Sequence, residues 1–426
     1  MPSRDPRAPN CTSFTTAYQC YRSHITPLFG LLASLGVSCT DSSAEGGRTA
    51  TVTDSAGITI VTNDGASTTV PSWSTEVDLA VGEVDGAPEY IFGQIADVDV
   101  DDAGNLYVLD RQAQRALVFG PDGEYLRRLA GPGEGPGELS REARDIHVAS
   151  DNSIYIVDTW QFRATKYRSD GTPIQTIRLD YGRPGPFTLH HLDDGRMLVR
   201  WFTYNVDADG RLVPWDALLI SDSTQTSFDT LFAFNYESPD LGILGAELQR
   251  PLIPNAAFYD VLADGQIAWS TIHGTQVAML ASDGSLARIV RNGAWERHAL
   301  TDAERDALEM VVQTDSDNPD EPLSPLIIFP DSLPTITALH ASPDGGFWIQ
   351  RMSPLPDVDP DGLFTAANTS MLGGQSWEVY NGEGRLTATV ETPQRFQITR
   401  VLDSAVVGIQ KDDLDIERVV RLRVIR

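Results

Sequence analysis

The sequence predicts an all-β fold, a six-bladed β-propeller of four-stranded antiparallel blades. Two observations predict it. A unit of apolar strand, tight Asp/Gly/Asn turn and apolar strand recurs six times, most clearly at Ile95–Asp110 and Ala143–Asp158. Each strand pair is followed by a third apolar strand, a second turn and a fourth strand, as in Ala116–Phe119, Pro121–Gly123 and Tyr125–Leu129. A sheet of that size cannot bury a face alone, so such repeats stack radially into a closed ring.

The first turns align on Gly104, Asn152, Gly195, Gly265, Gly345 and Ser404, spaced 48, 43, 70, 80 and 59 residues apart. Third strands are read at Ala164–Tyr167, Leu218–Ile220, Val277–Leu280 and Trp377–Tyr380, and Gly171, Gly284 and Gly384 match Gly123 in the turns that follow. Glycine takes positive φ there without steric cost. The longer spacings are insertions. In one of them Thr301 and Glu304 form a capping box ahead of Leu308, Val311 and Val312 at helical spacing, which predicts a short helix over 301–313 on one face of the disc. The Pro- and Asp-rich run Asp315–Pro334 reads as a surface loop.

The sixth blade reaches only a third strand, Arg418–Ile425, before the sequence stops. An open edge exposes unpaired backbone groups. Thr75–Val81, just ahead of blade one, is the segment able to supply the missing strand, which predicts that the two ends of the domain are stitched together in one blade.

The chain has 426 residues, 41% of them hydrophobic, consistent with one large folded unit at 54–426. Its net charge of −28 opposes nucleic acid and anionic lipid as partners. All three cysteines, Cys11, Cys20 and Cys39, precede the repeats, so no disulfide staples the ring. Ile25–Val37 is apolar but short for a bilayer span, and reads with its flanks as an export signal over 1–39. Gly36-Val-Ser-Cys39 approaches a lipoprotein cleavage box, with Leu35 one place early, making Cys39 the candidate lipidation site. Residues 40–53 then form a polar tether. The only membrane association expected is through that lipid, on a monomeric protein.

The segment Gly104–Asp110, with Arg115–Phe119 and Gly123, resembles the NHL repeat. The region from Asp54 onward is similar to bacterial six-bladed β-propeller proteins often carried as lipoproteins. The likeness rests on Asp54–Val61, Gly131–Leu139 and Val407–Val419. It implies the fold and leaves the substrate open, because propellers serve as scaffolds, binding modules, lyases and lactonases alike.

Several constellations carry chemistry. Five residues before each turn anchor stand Asp99, His147, His190, Asp260, His340 and Thr399. Equivalent positions of a propeller form a ring around the channel, so three imidazoles and two carboxylates there suit zinc or another divalent metal. Asp357, Asp359 and Asp361 have the spacing that opens a calcium loop, though Asn368 replaces its closing Glu. Glu134 and Glu138, in a Gly-rich run lacking a P-loop ending, are candidates for a ligand rim. Asp110 with Arg115 and Asp158 with Arg163 read as repeated structural pairs. Trp160, Trp201, Trp269, Trp348 and Trp377 read as packing between blades. No hydrolase elbow, His-Glu-x-x-His or Cys-x-x-Cys occurs.

These readings lead to an exported, lipid-anchored propeller that binds or scaffolds a protein, peptide or glycan, with no certain cofactor. The competing expectation is a metal-dependent hydrolase or lyase, lactonase-like, acting at the channel.

Overall fold

A computed structural model describes residues 50–65, 70–179, 184–206, 212–235, 243–244, 247–248, 250–314, 327–355, 358–364 and 369–426. The expected export signal, Cys39 and most of the expected tether lie outside them.

Six antiparallel four-stranded sheets follow one another along the chain. Blade one comprises Ile95–Val100, Leu106–Asp110, Arg115–Phe119 and Tyr125–Pro132; blade two comprises Ala143–Val148, Ile154–Asp158, Arg163–Tyr167 and Pro173–Arg178. Blade three runs from Pro184 to Asn235, blade four from Ala257 to Asn292 and blade five from Ala338 to Glu391. Blade six has Phe396–Val401, Ala405–Lys411 and Glu417–Ile425, and its fourth strand is Ser72–Val81. Ser74 pairs with Ile425 and Val81 with Val419, so the predicted stitch is present and starts three residues earlier than expected. The tight turns hold positive φ where the repeat required it, 81° at Gly104 and 61° at Asn152.

Strands alternate their side chains between two sheet faces, and each face packs on a neighbouring blade. Six apolar clusters accordingly mark the six blade interfaces. Trp201 and Trp377 are fully buried in two of them, and Trp269 and Trp348 nearly so, as the sequence suggested. Trp160 departs from that reading: it lies on the turn between the second and third strands of blade two and is 74% exposed.

Two elements fall outside the simple repeat. Ala50–Ser55 and Ile58–Asn63 form a hairpin whose second strand pairs in parallel with Leu286–Asn292, widening blade four to six strands. Ala50–Thr53, expected as tether, are therefore strand. Asn63 ends the hairpin by donating to the carbonyls of Arg291 and Gly384 and accepting from the Leu386 amide, which ties blade four to blade five. The predicted helix is observed at Asp302–Thr314. Its capping box forms as read: the Glu304 amide donates to Thr301 Oγ1, and Glu304 Oε2 accepts from the Thr301 amide. Leu308 is buried in a seventh apolar cluster with Leu252, Ile272, Val358, Leu363 and Leu372. The helix thus packs with the long connection inside blade five as a cap. Thr301→Ala should cost about 1 kcal/mol, readable as a lower urea midpoint; an unchanged midpoint would show that the cap is held by Leu308 alone.

In such a meander the first and third turns of every blade lie on one face of the disc, while the second turns and the links between blades lie on the other. The first face carries tight turns. Among the described residues, the helix and the segments 353–355, 358–364 and 369–372 belong to connections of the second face.

Candidate functional site: the channel and its elaborated face

The innermost strands bring most of the predicted ring together. His147 Nδ1 lies 3.5 Å from Asp99 Oδ2, and the His147 ring centre is 4.5 Å from that of His190. His190 Nδ1 lies 3.8 Å from Asp260 Oδ1. His340 holds the equivalent place in blade five and leans on Trp377, 5.7 Å between ring centres. The sixth position is a correction. The first turn of blade six is one residue shorter than those of the other blades, Val401 pairing with Val406 where Val100 pairs with Leu106, so a count of five back from Ser404 overshoots by one. Arg400, not Thr399, therefore joins the ring, with Nε 3.5 Å from Asp99 Oδ1.

The carboxylates have a second task that the sequence did not disclose. An innermost strand has no partner on its channel side, so its outward amides need acceptors. Asp99 accepts from its own Val100 and from Val148 of the next blade, at 2.8 and 2.7 Å. Asp97 accepts from Val98 and Ile146, Asp145 from Leu189, and Asp260 from Val261 and Ala341. These carboxylates clamp each blade to the next. Asp97 and Asp145 sit two residues before the ring positions and form a further acidic layer.

Among the described residues no three His, Cys, Asp or Glu side chains come together as a metal would require. Asp99, His147, His190, Asp260 and His340 hold equivalent places on the innermost strands, and the two carboxylates among them accept from backbone amides. Of the calcium candidates, Asp359 is the one whose side chain is described. Its Oδ2 is 2.9 Å from Arg395 Nε, and the same arginine reaches Asp415 and the Asp412 carbonyl. Asp357 and the side chain of Asp361 fall outside the described residues.

Of the rim pair, Glu134 is exposed, but Glu138 turns back to accept from the Gly135 amide at 2.7 Å and braces its own loop. Asp110 pairs with Arg115 at 3.2 Å and also accepts from Gly93, Gln94 and Ala113, so it is the hub of the entry into blade one. In blade two the roles separate. Asp158 holds Ser140 and the Gln161 amide, and Arg163 donates to the carbonyls of Glu134, Gly135 and Glu138.

Burial lifts the Asp97 carboxyl to about 7, with Asp99 adding to the rise, and pushes Asp145 well above the usual range, with Asp97 adding there. Burial also holds His190 and His340 down at about 4, Arg400 contributing in both. An imidazole held low stabilises the fold fully above pH 6.5 and loses that contribution as pH falls toward 4. A carboxyl held high acts oppositely: its contribution is present below 3.8 and disappears as pH rises through about 7. His340→Phe should therefore lose less stability than the parent between pH 7 and pH 5, by about 1–2 kcal/mol, and Asp97→Asn should gain relative to it from pH 5 to pH 8. Urea unfolding at the three pH values measures both, and parallel curves for parent and variants would refute the assignment.

The elaborated face is also where apolar surface is left open. Val84, Ile91, Trp160, Met310 and Leu414 are all exposed large side chains on its connections, Leu414 at 80%. Among the described residues the remaining exposed ones are Val77, Leu126 and Ile174 on outer strands and Ile425 at the end of the third strand of blade six, and none lies in a turn of the tight-turn face.

Comparison with known proteins agrees with the architecture. Residues 87–238 match the family model described as 6-bladed beta-propeller. No curated protein matches the sequence. Among solved structures, a member of the duf4221 family from Bacteroides vulgatus is similar at 9% identity and TM-score 0.50, covering 82% of this chain and 97% of its own. A candidate exported protein from Bacteroides fragilis is similar at 12% identity and TM-score 0.45, over 83% and 99%. The virginiamycin B lyase of Staphylococcus aureus, in a catalytically inactive form with quinupristin, is similar at 10% and 0.41, over 82% and 100%. At such identities the likeness concerns the fold alone. The strand order of the chain and the match over residues 87–238 agree on its fold: it is a six-bladed β-propeller.

Proposed function

We propose that this chain is an exported, lipid-anchored binding module that engages a protein, peptide or glycan partner through the elaborated face of the disc. The observation that carries this reading is the one-sided distribution of its long connections and its exposed apolar side chains. Stability does not require Trp160 or Leu414 to meet water, and solvent-facing aromatic and aliphatic groups on connections mark recognition surfaces. The net charge of −28 favours neutral or basic partners over anionic polymers.

Peptide and glycan arrays probed with the full-length chain test it. A ligand so found should bind at least about tenfold more weakly to a Trp160→Ser, Leu414→Ser double variant, an anchor pair of this kind being worth 1–2 kcal/mol or more, and unchanged to Leu126→Ser on an outer strand. Equal loss in both variants would refute the assignment of the face. For the anchor, incorporation of a labelled lipid precursor should vanish in Cys39→Ser; retained label would exclude Cys39.

A further inference from the structure

A cavity of about 240 Å³ opens between blades five and six on the tight-turn face, away from the elaborated one. Its walls are the indoles of Trp73 and Trp348 and the side chains of Val379 and Val401; its edge carries Asp344 and Asp403 from two adjacent first turns. Both carboxylates are exposed. Asp344 uses one oxygen to accept from Ser342 Oγ and the Gly346 amide. The chain already places a cation here. The Arg426 guanidinium lies 4.9 Å from the Trp73 ring centre and donates to the Asp403 carbonyl at 2.9 Å.

An indole wall with a carboxylate edge is the chemistry that holds alkylammonium and guanidinium groups. The field of the whole acidic chain adds to the attraction. Arg426 is tethered by one cation–π contact and one exposed hydrogen bond, both weak in water, so a second cation of the same type can take its place. We propose that this cavity is a binding site for a small organic cation carrying a guanidinium or primary ammonium group, with Arg426 as its resident competitor. The site is separate from the elaborated face and its occupation does not depend on the partner proposed there.

Calorimetric titration of the full-length chain with agmatine tests the proposal. Saturable binding should weaken at least about threefold in Trp73→Leu, which keeps the apolar wall but removes the π face. It should weaken similarly in Asp403→Asn. Arg426→Gln should tighten binding, whereas Arg421→Gln, the same change of charge outside the cavity, should not. Hexanoate, which has the alkyl chain without the cation, should give no saturable heat. Absence of saturable agmatine binding in both the parent and Arg426→Gln overturns the proposal. So does binding indifferent to Trp73→Leu, or equal tightening in the two arginine variants, which would reduce the effect to general attraction by an acidic surface. The Trp160 and Leu414 variants should bind agmatine normally, so the two readings fail separately.

Discussion

Deletion of Ser72–Val81 should abolish the single cooperative unfolding transition of the ring. The strand contributes every residue pairing on the outer side of Glu417–Ile425, and its last residue, Val81, is 2% exposed in the cluster that joins blade six to blade one. Removing it bares a long apolar edge and opens that interface together, and no other described segment lies against that edge. A milder probe is Leu422→Ala, at a fully buried position of the partner strand, which should cost about 2–5 kcal/mol. Urea denaturation followed by tryptophan fluorescence and circular dichroism reads both. A deletion variant unfolding in one step at the parental midpoint would show that the ring closes without the stitch.

Asp216→Ala should be the costliest single substitution within blade three. Arg200 and Asp216 meet side by side on neighbouring strands, Nε to Oδ1 at 3.0 Å and Nη2 to Oδ2 at 3.1 Å, with Asp216 fully buried. Truncating one partner of a buried bidentate pair leaves the other charge without its counter-ion, typically at about 3–5 kcal/mol. Replacing both, as Arg200→Met with Asp216→Leu, should recover most of that loss, because the cost lies in the uncompensated charge more than in the missing attraction. If the double variant is no more stable than Asp216→Ala, the pair is contributing shape or register that apolar side chains cannot reproduce.

The ring was legible because its turns are local: Gly104, Asn152 and Gly345 announce themselves by residue type, and strand alternation does the rest. The stitch was legible too, since a three-stranded last blade demands a donor. What sequence could not show is whatever depends on a single-residue shift or on the far side of a blade. The first turn of blade six is one residue shorter than the others and leaves the flanking strand pattern intact, so counting back from it picks Thr399 instead of its neighbour Arg400. Asp99 looked like a metal ligand because its type and position suit one; that its oxygens serve Val100 and Val148 is visible only once two blades adjoin. Trp160 followed a strand as the buried tryptophans do, and nothing local distinguishes an indole facing a blade from one facing water. Arg200 gave no signal at all, since an arginine in an apolar run reads as an interruption until its carboxylate is found on the next strand.

The closure of blade six also sets an order of events during synthesis. Glu76 and Arg423, which pair across it, are 347 residues apart in the chain. The hairpin that ends at Asn63 likewise waits for Leu286–Asn292. A growing polypeptide therefore carries its earliest strands unpaired while blades one to five accumulate behind them, and the disc becomes a disc only in a final, late step. Until that step the ring carries open strand edges at both of its ends.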